Sequence, residues 1–342
     1  PTPIQKGIRM NTSQQPDVAT GIGPGDRVAV YRVPDNQMAA GSTLGGPAAC
    51  ATIKATGAVE KVYSVELGQT LFGPLVLRHY DERAGMHLAP NHPGTFVIHP
   101  EHQQHLVTLE GGIEVREDIF VLNGAPSDGA DDVIPAVYYT VELENGRADA
   151  AKLSTYAFVD LRGETAYDMV TTYDERAGAL LAWNDSLPDV VRVFGCSTKP
   201  NDFETTRDSA MAVSSNFPGA LSCKTDAAGD STGVLRVSSH MRPGDKVQLT
   251  FILTFASGGR RSATKRYQSC PSAREALDRT RGYYHDLLDR AVVMTPNLEV
   301  NRGVLWAKAN MLRVMAKSPT GWCFTNDPGR SNNSVGRDTA WF

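Results

Sequence analysis

From Gly25 to about Gln268 the chain keeps switching between apolar and polar residues in short runs, and Gly, Pro, Asn or Asp bounds each run. Alternation with a period of two places one set of side chains on one face of an extended strand, so each run buries one face and solvates the other. Residues 27–33, 62–67, 106–109, 113–121, 136–143 and 247–255 read as strands in this way. Glu110-Gly-Gly112, Asn145-Gly146 and Ser257-Gly-Gly259 supply the turns between them. With a turn every ~8–12 residues and no helical period in between, the pattern predicts a mainly β fold. Two stacked antiparallel sheets, a large super-sandwich over residues 25–268, fit it better than an α/β sheet. Residues 1–24 precede it as an extension.

At Cys270 the period changes. Ser272-Ala-Arg-Glu275 has the spacing of a capping box, and the stripe Ala276, Leu277, Thr280, Tyr283, Tyr284, Leu287, Leu288 and Ala291 recurs at helical intervals. The spacing predicts a linker helix within 269–296, set against the sandwich through Leu277, Tyr284 and Leu288. Asn297 then caps a second helix running to about Lys317, with Val304, Leu305, Met311 and Met315 on its apolar face. That face lacks an evident partner, and we expect another copy to cover it or association to follow. A turn at Pro319–Gly321, a Gly- and Asn-rich loop at 322–336, and the start of a further helix at 337–342 complete the reading. The missing initial Met and the apolar last residues suggest a piece of a longer protein.

Composition narrows the function. Lys and Arg number 34 against 38 Asp and Glu, a net charge of −4 that gives a phosphate backbone nothing to hold, so no nucleic-acid partner is expected. No apolar run approaches the about 18 residues that cross a bilayer, and the first residues have no signal core, so the chain reads as soluble, with the cytoplasm slightly preferred. Five scattered cysteines without a C-x-x-C pair read as free thiols. The glycine cluster Gly21, Gly23, Gly25 runs into a strand rather than a helix, so no nucleotide cofactor is implied.

Two constellations invite a catalytic reading. Tyr80-Asp-Glu-Arg-Ala-Gly85 recurs as Tyr173-Asp-Glu-Arg-Ala-Gly178, which could pair carboxylates, but Asp opening and Gly closing a segment between strands is the signature of a hairpin turn. His87, His92, His99, His102 and His105 crowd one stretch. Intervals of three put ligands on one face only in a helix, which Pro100 and the strand-like flanks disfavour, so surface or interface histidines and no metal site are expected.

The order of parts is more informative. A long sandwich, a capped linker helix, the apolar segment 302–313, a Gly/Asn-rich loop and then Val335-Gly-Arg-Asp-Thr-Ala-Trp-Phe342 together resemble the six-hairpin glycosidases, the amylo-alpha-1,6-glucosidase or glycogen-debranching type above all. The resemblance implies a β super-sandwich joined by the linker to an (α/α)6 toroid, of which 297–342 is the truncated start. It implies glycoside hydrolysis of an α-linked glucan or oligosaccharide, without a cofactor, by carboxylates lying beyond Phe342. It also places Gly336-Arg337-Asp338 along the sugar pocket. Independently of the family, the Arg337 guanidinium and Asp338 carboxylate can each grip two adjacent hydroxyls, and Trp322 or Trp341 offers a flat face to a pyranose ring. An ion pair beneath a loop is the other reading of Arg337 and Asp338. A non-catalytic carbohydrate-binding or assembly sandwich and a toroid disaccharide phosphorylase are the alternatives for the whole.

Overall fold

The computed structural model describes residues 30–36, 41–124, 133–165, 168–206, 220–225, 232–290, 292–318 and 321–324. Two large antiparallel sheets face each other. The front sheet runs, edge to edge, through strands Tyr31–Pro34, Pro90–Ile98, His102–Leu109, Ile113–Val121, Ala136–Asn145, Lys246–Ala256, Leu187–Cys196, Ala179–Asn184 and Met169–Asp174. The back sheet runs Asp202–Thr206, Thr232–Met241, Ala151–Asp160, Leu75–Asp81, Val59–Ser64, Ala49–Ile53 and Ser42–Gly45, with Gln69–Phe72 and Met86–His87 paired beside it. The expected super-sandwich is therefore the fold.

Alternation decides which residues meet inside. In Ile113–Val121 the odd positions Ile113, Val115, Ile119 and Val121 point into the core with Tyr139, Val141 and Leu143 of the neighbouring strand. Facing them from the back sheet are Ile53, Val59, Leu75, Leu153 and Val159. Each such side chain, fully withdrawn from water, contributes about 1.5–3 kcal/mol. On the other side of the front sheet, Phe120 and Tyr138 stack with ring centroids 4.9 Å apart and pack under Ala276 and Leu277.

Three helices occupy the C-terminal part: α1 Gly259–Gln268, α2 Ala273–Leu288 and α3 Leu298–Arg313. α2 begins as its capping pattern predicts, with the Ser272 hydroxyl accepting from the Glu275 amide at 3.4 Å. Tyr284 and Leu288 are buried and Leu277 is half-buried, the three expected to face inward. Asn297 caps α3 through the amides of Glu299 and Val300.

Two departures have physical reasons. α1 lies where strands and turns were read, because its sequence GRRSATKRYQ carries no apolar stripe; Ala263 alone is buried, and Tyr267 docks so closely on Gly195 that a methyl there would stand 2.1 Å from its hydroxyl. α3 ends at Arg313 rather than near Lys317. Met315–Ser318 pairs instead with Gly321–Phe324 in a hairpin, and the Lys317 amide donates to the Pro47 carbonyl at 3.0 Å. Met315 therefore leaves the helical face, and Val304 and Leu305 are half-buried. Around α3 the exposed apolar residues are Val292, Val293, Met294, Leu298, Val300 and Met311.

The repeated hexapeptide forms the same turn twice, once in each sheet. Oδ1 of Asp81 accepts from the amides of Arg83 and Ala84, and Oδ1 of Asp174 from those of Arg176 and Ala177. Gly85 and Gly178 close the turns at φ +67° and +63°. Asp81 is also paired with Arg147, and Glu82 with Lys152, so these carboxylates are structural.

Candidate functional site

Of the residues singled out for sugar contact, Trp322 falls in the strand Gly321–Phe324, its backbone opposite Lys317. Arg337, Asp338 and Trp341 lie outside the described residues. The strand pair hangs from the corner where Gly45 meets the end of α3, so closely that a methyl on Gly45 would stand 1.5 Å from the Arg313 carbonyl oxygen. Beside this corner the histidine stretch comes together.

The expectation of surface histidines holds for His92, which is exposed, and fails for His102 and His105, which are 0% and 4% exposed. The tight turn at 99–101, closed by the His99 amide donating to the His102 carbonyl at 3.0 Å, folds strand His102–Leu109 back onto Pro90–Ile98 inside the front sheet. Three residues apart on a strand, His102 and His105 then project to opposite faces. Sequence spacing shows that split, but not that both faces are covered.

His105 points between the sheets. Its Nδ1 lies 2.7 Å from Glu117 Oε2 and its Nε2 3.1 Å from Asp35 Oδ2, while the Tyr139 hydroxyl donates to Glu117 Oε1 at 2.6 Å. His92 Nδ1 reaches the same Asp35 oxygen at 2.8 Å. Burial works to lower the His105 pKa, but hydrogen bonds and charge from Glu117 and Asp35 outweigh it and raise the group. Burial raises Asp35, and the two histidines more than offset it, leaving it lowered. Gly57, at φ +83°, makes room for this cluster: a methyl there would lie 2.1 Å from Glu117 Oε2 and 2.8 Å from His105 Nδ1. The arrangement is a proton-sharing chain enclosed by the core.

Across the sandwich His79, 6% exposed, bonds Thr155 Oγ1 through Nδ1 at 3.1 Å. Burial, only partly countered by the Glu117 charge, pushes its pKa down to about 4. Between pH 6.5 and about 4 the unfolded chain therefore takes up a proton that folded His79 refuses. This contribution to stability is present above 6.5 and lost as pH falls through about 4, on the order of 3 kcal/mol. His105, with its raised pKa, acts oppositely: its contribution is present below 6.5 and lost as pH rises through its folded value. Urea midpoints measured from pH 7.5 to 4.5 should fall, and His79→Gln should flatten that fall.

On the outer face, under α2 and α3, lies a second cluster. The rings of His99 and His102 stack at 3.9 Å, His102 Nδ1 lies 3.1 Å from Glu101 Oε1, and Asp118 Oδ1 lies 3.8 Å from His102 Nε2. Gln104 and Arg116 hold Asp118 at 2.8 and 2.9 Å. Arg313 of α3 donates to the carbonyls of His99 and Pro100 at 2.5 and 2.9 Å, and Arg281 of α2 stands 3.6 Å from Glu101. Burial, reinforced by His102, pushes His99 down to about 3, so its imidazole is neutral. Burial tends to raise Glu101, yet the hydrogen bond and charge of His102 hold it at about 2.

Two of the surface clefts are formed by described residues. One of about 750 Å³ lies between the Asp174 turn and α1, where Asp174 is committed to its turn. The other, about 530 Å³, crosses the front sheet's outer face, where Thr108 donates to Glu114 and Lys246 holds Glu144.

No family model matches the chain, and no curated protein matches it. Solved structures do. A human-microbiome protein described as a kojibiose phosphorylase superposes with a TM-score of 0.57 at 10% identity, over 84% of this chain and 41% of that one. A bacterial glucoamylase in complex with acarbose gives 0.48 at 12% identity, over 87% and 43%. The GH92 inverting mannosidase of Bacteroides thetaiotaomicron gives 0.46 at 11% identity, over 88% and 40%. This chain spans about two fifths of the length of each. The fold shared with the phosphorylase is thus a super-sandwich with C-terminal helices, over about two fifths of that protein's chain.

Proposed function

We propose that this chain is the N-terminal part of a glycoside hydrolase acting on an α-linked glucan or oligosaccharide, of the debranching type. The observation that carries the reading is the order of parts: an antiparallel super-sandwich, then a capped helix laid on its outer face, then a second helix, in a fold shared with part of a protein described as a kojibiose phosphorylase. In this reading the sandwich and its helices form one wall of the sugar pocket. Arg337 and Asp338 hold hydroxyls and Trp322 or Trp341 stacks on the ring. The two carboxyl groups that glycoside hydrolysis requires come from residues after Phe342, and the remaining toroid helices or a second copy cover Leu298, Val300 and Met311.

The phosphorylase neighbour favours one second reading, phosphorolysis, in which phosphate replaces water as the attacking group. This chain and a longer one should be assayed on starch-type oligosaccharides and on kojibiose, with and without inorganic phosphate. Hydrolysis by the longer chain alone, independent of phosphate, is the expected result. Strict dependence on phosphate selects the second reading. No turnover by the longer chain, together with sugar binding by this one, selects a non-catalytic binding sandwich. As for location, among the described residues no helix is long and apolar enough to cross a membrane.

A further inference from the structure

We propose that the first strand, Tyr31–Pro34, is a strap latched by a proton on His105, and that it peels from the sandwich when rising pH removes that proton. This holds independently of the sugar-processing reading. The latch is Asp35, the residue after the strand, which is 2% exposed. Its Oδ1 is buried without a hydrogen-bond partner, so the carboxylate is held through Oδ2 alone, by His105 Nε2 at 3.1 Å and His92 Nδ1 at 2.8 Å. His105 also faces Glu117 through Nδ1 at 2.7 Å. A neutral imidazole carries one N–H and a charged one carries two, so between two carboxylates both contacts are hydrogen bonds only in the imidazolium. Two glycines shape the gap. A methyl on Gly57 would stand 2.8 Å from His105 Nδ1, and one on Gly94 would stand 3.2 Å from Nε2 and 2.8 Å from Asp35 Oδ2.

Loss of the proton leaves a ring lone pair against a carboxylate oxygen inside the core, and of the two carboxylates Asp35 is the one free to move away. Glu117 lies in the middle of Ile113–Val121, a strand paired on both sides, and accepts from Tyr139. Asp35 follows a four-residue edge strand whose single neighbour is Pro90–Ile98. Besides that ladder the strap has Val33 against the core, the Asp35 amide on the Gly94 carbonyl at 3.1 Å, and the Tyr31 ring 4.9 Å from that of Trp306 in α3. The other titratable group facing the latch from the opposing sheet is His79, which burial keeps neutral. Lys54, on the turn that brings Gly57, and Arg32, on the strap, are exposed. Against burial, Glu117 and Asp35 raise His105, so closure binds the proton: it is favoured below the raised pKa and lost above it. Opening uncovers Trp306 and loosens the seat of α3.

Amide hydrogen exchange of the full chain should be followed from about pH 6 to about pH 9, corrected for intrinsic rates, while NMR titrates the His105 ring. Protection of residues 31–35 should fall by about tenfold or more across the His105 midpoint, while strand Ala136–Asn145 keeps its protection. Asp35→Asn keeps the outline and removes one of the two carboxylates, so it should lower the His105 midpoint by about one pH unit or more. Tyr31→Ala removes the Trp306 contact alone and should lower protection of the strap by the same factor at every pH. Where Asp35→Asn does not fold, coincidence of the exchange midpoint with that of the His105 ring decides. Protection of 31–35 that stays level with pH, a fall that Ala136–Asn145 shares, a midpoint apart from that of His105, or an Asp35→Asn chain with the parent's His105 midpoint each overturns the proposal.

Discussion

Replacing Glu117 by alanine should destabilise the folded chain by about 3–5 kcal/mol, the largest single effect expected from any one side chain described above. Glu117 sits on the inward face of Ile113–Val121, among residues that are otherwise apolar, and it accepts from Tyr139 and engages His105. Its removal strands a hydroxyl that is 2% exposed and leaves His105 with Asp35 alone, while opening a void between the sheets. Total stabilities run to about 5–15 kcal/mol, so this is a large share. Glu117→Gln keeps the volume and one acceptor and should lose less. Urea unfolding of both variants against the parent checks the order, and an alanine variant within about 1 kcal/mol of the parent would show that the cluster adds little to the core.

In the longer enzyme proposed above, Asp338→Asn should reduce kcat/KM by a factor of about 30 to 1000, corresponding to about 2–4 kcal/mol of transition-state binding. The proposed reason is geometric. An amide keeps the outline of the carboxylate but turns a pair of acceptors into one acceptor and one donor, so one sugar hydroxyl is left facing the wrong group. Contacts of this kind strengthen as the ring flattens toward an oxocarbenium ion, so the loss should fall on kcat as well as KM. Steady-state kinetics on an α-linked oligosaccharide decides: a change within threefold would make Arg337 and Asp338 a structural ion pair.

Much of the fold was legible because a sandwich writes its burial into a period of two. The strands around Ile113–Val121 and Lys246–Ala256, the capped start of α2 and the twin Asp-to-Gly turns each depend on residues near one another in sequence. α1 was not legible, since Ala263, Tyr267 and the polar contacts of Arg260, Thr264 and Arg266 hold it and leave no apolar stripe. The end of α3 was not legible either, because Met315–Ser318 trades helical hydrogen bonds for a partner strand and for the Pro47 carbonyl.

The histidines divide the two kinds of information most clearly. The sequence by itself determined that His102 and His105 fall on opposite faces of any strand that holds both, because the side-chain period of a strand is fixed by backbone geometry. It read only residues 106–109 as that strand. Only the tertiary structure decided what each face meets. His105 found Asp35, 70 positions earlier, and His102 found a turn roofed by Arg281 and Arg313 from helices 179 and 211 positions later. Burial and charge, which set the behaviour of an imidazole, depend on groups brought within a few ångströms by chain closure, and no local pattern encodes that distance.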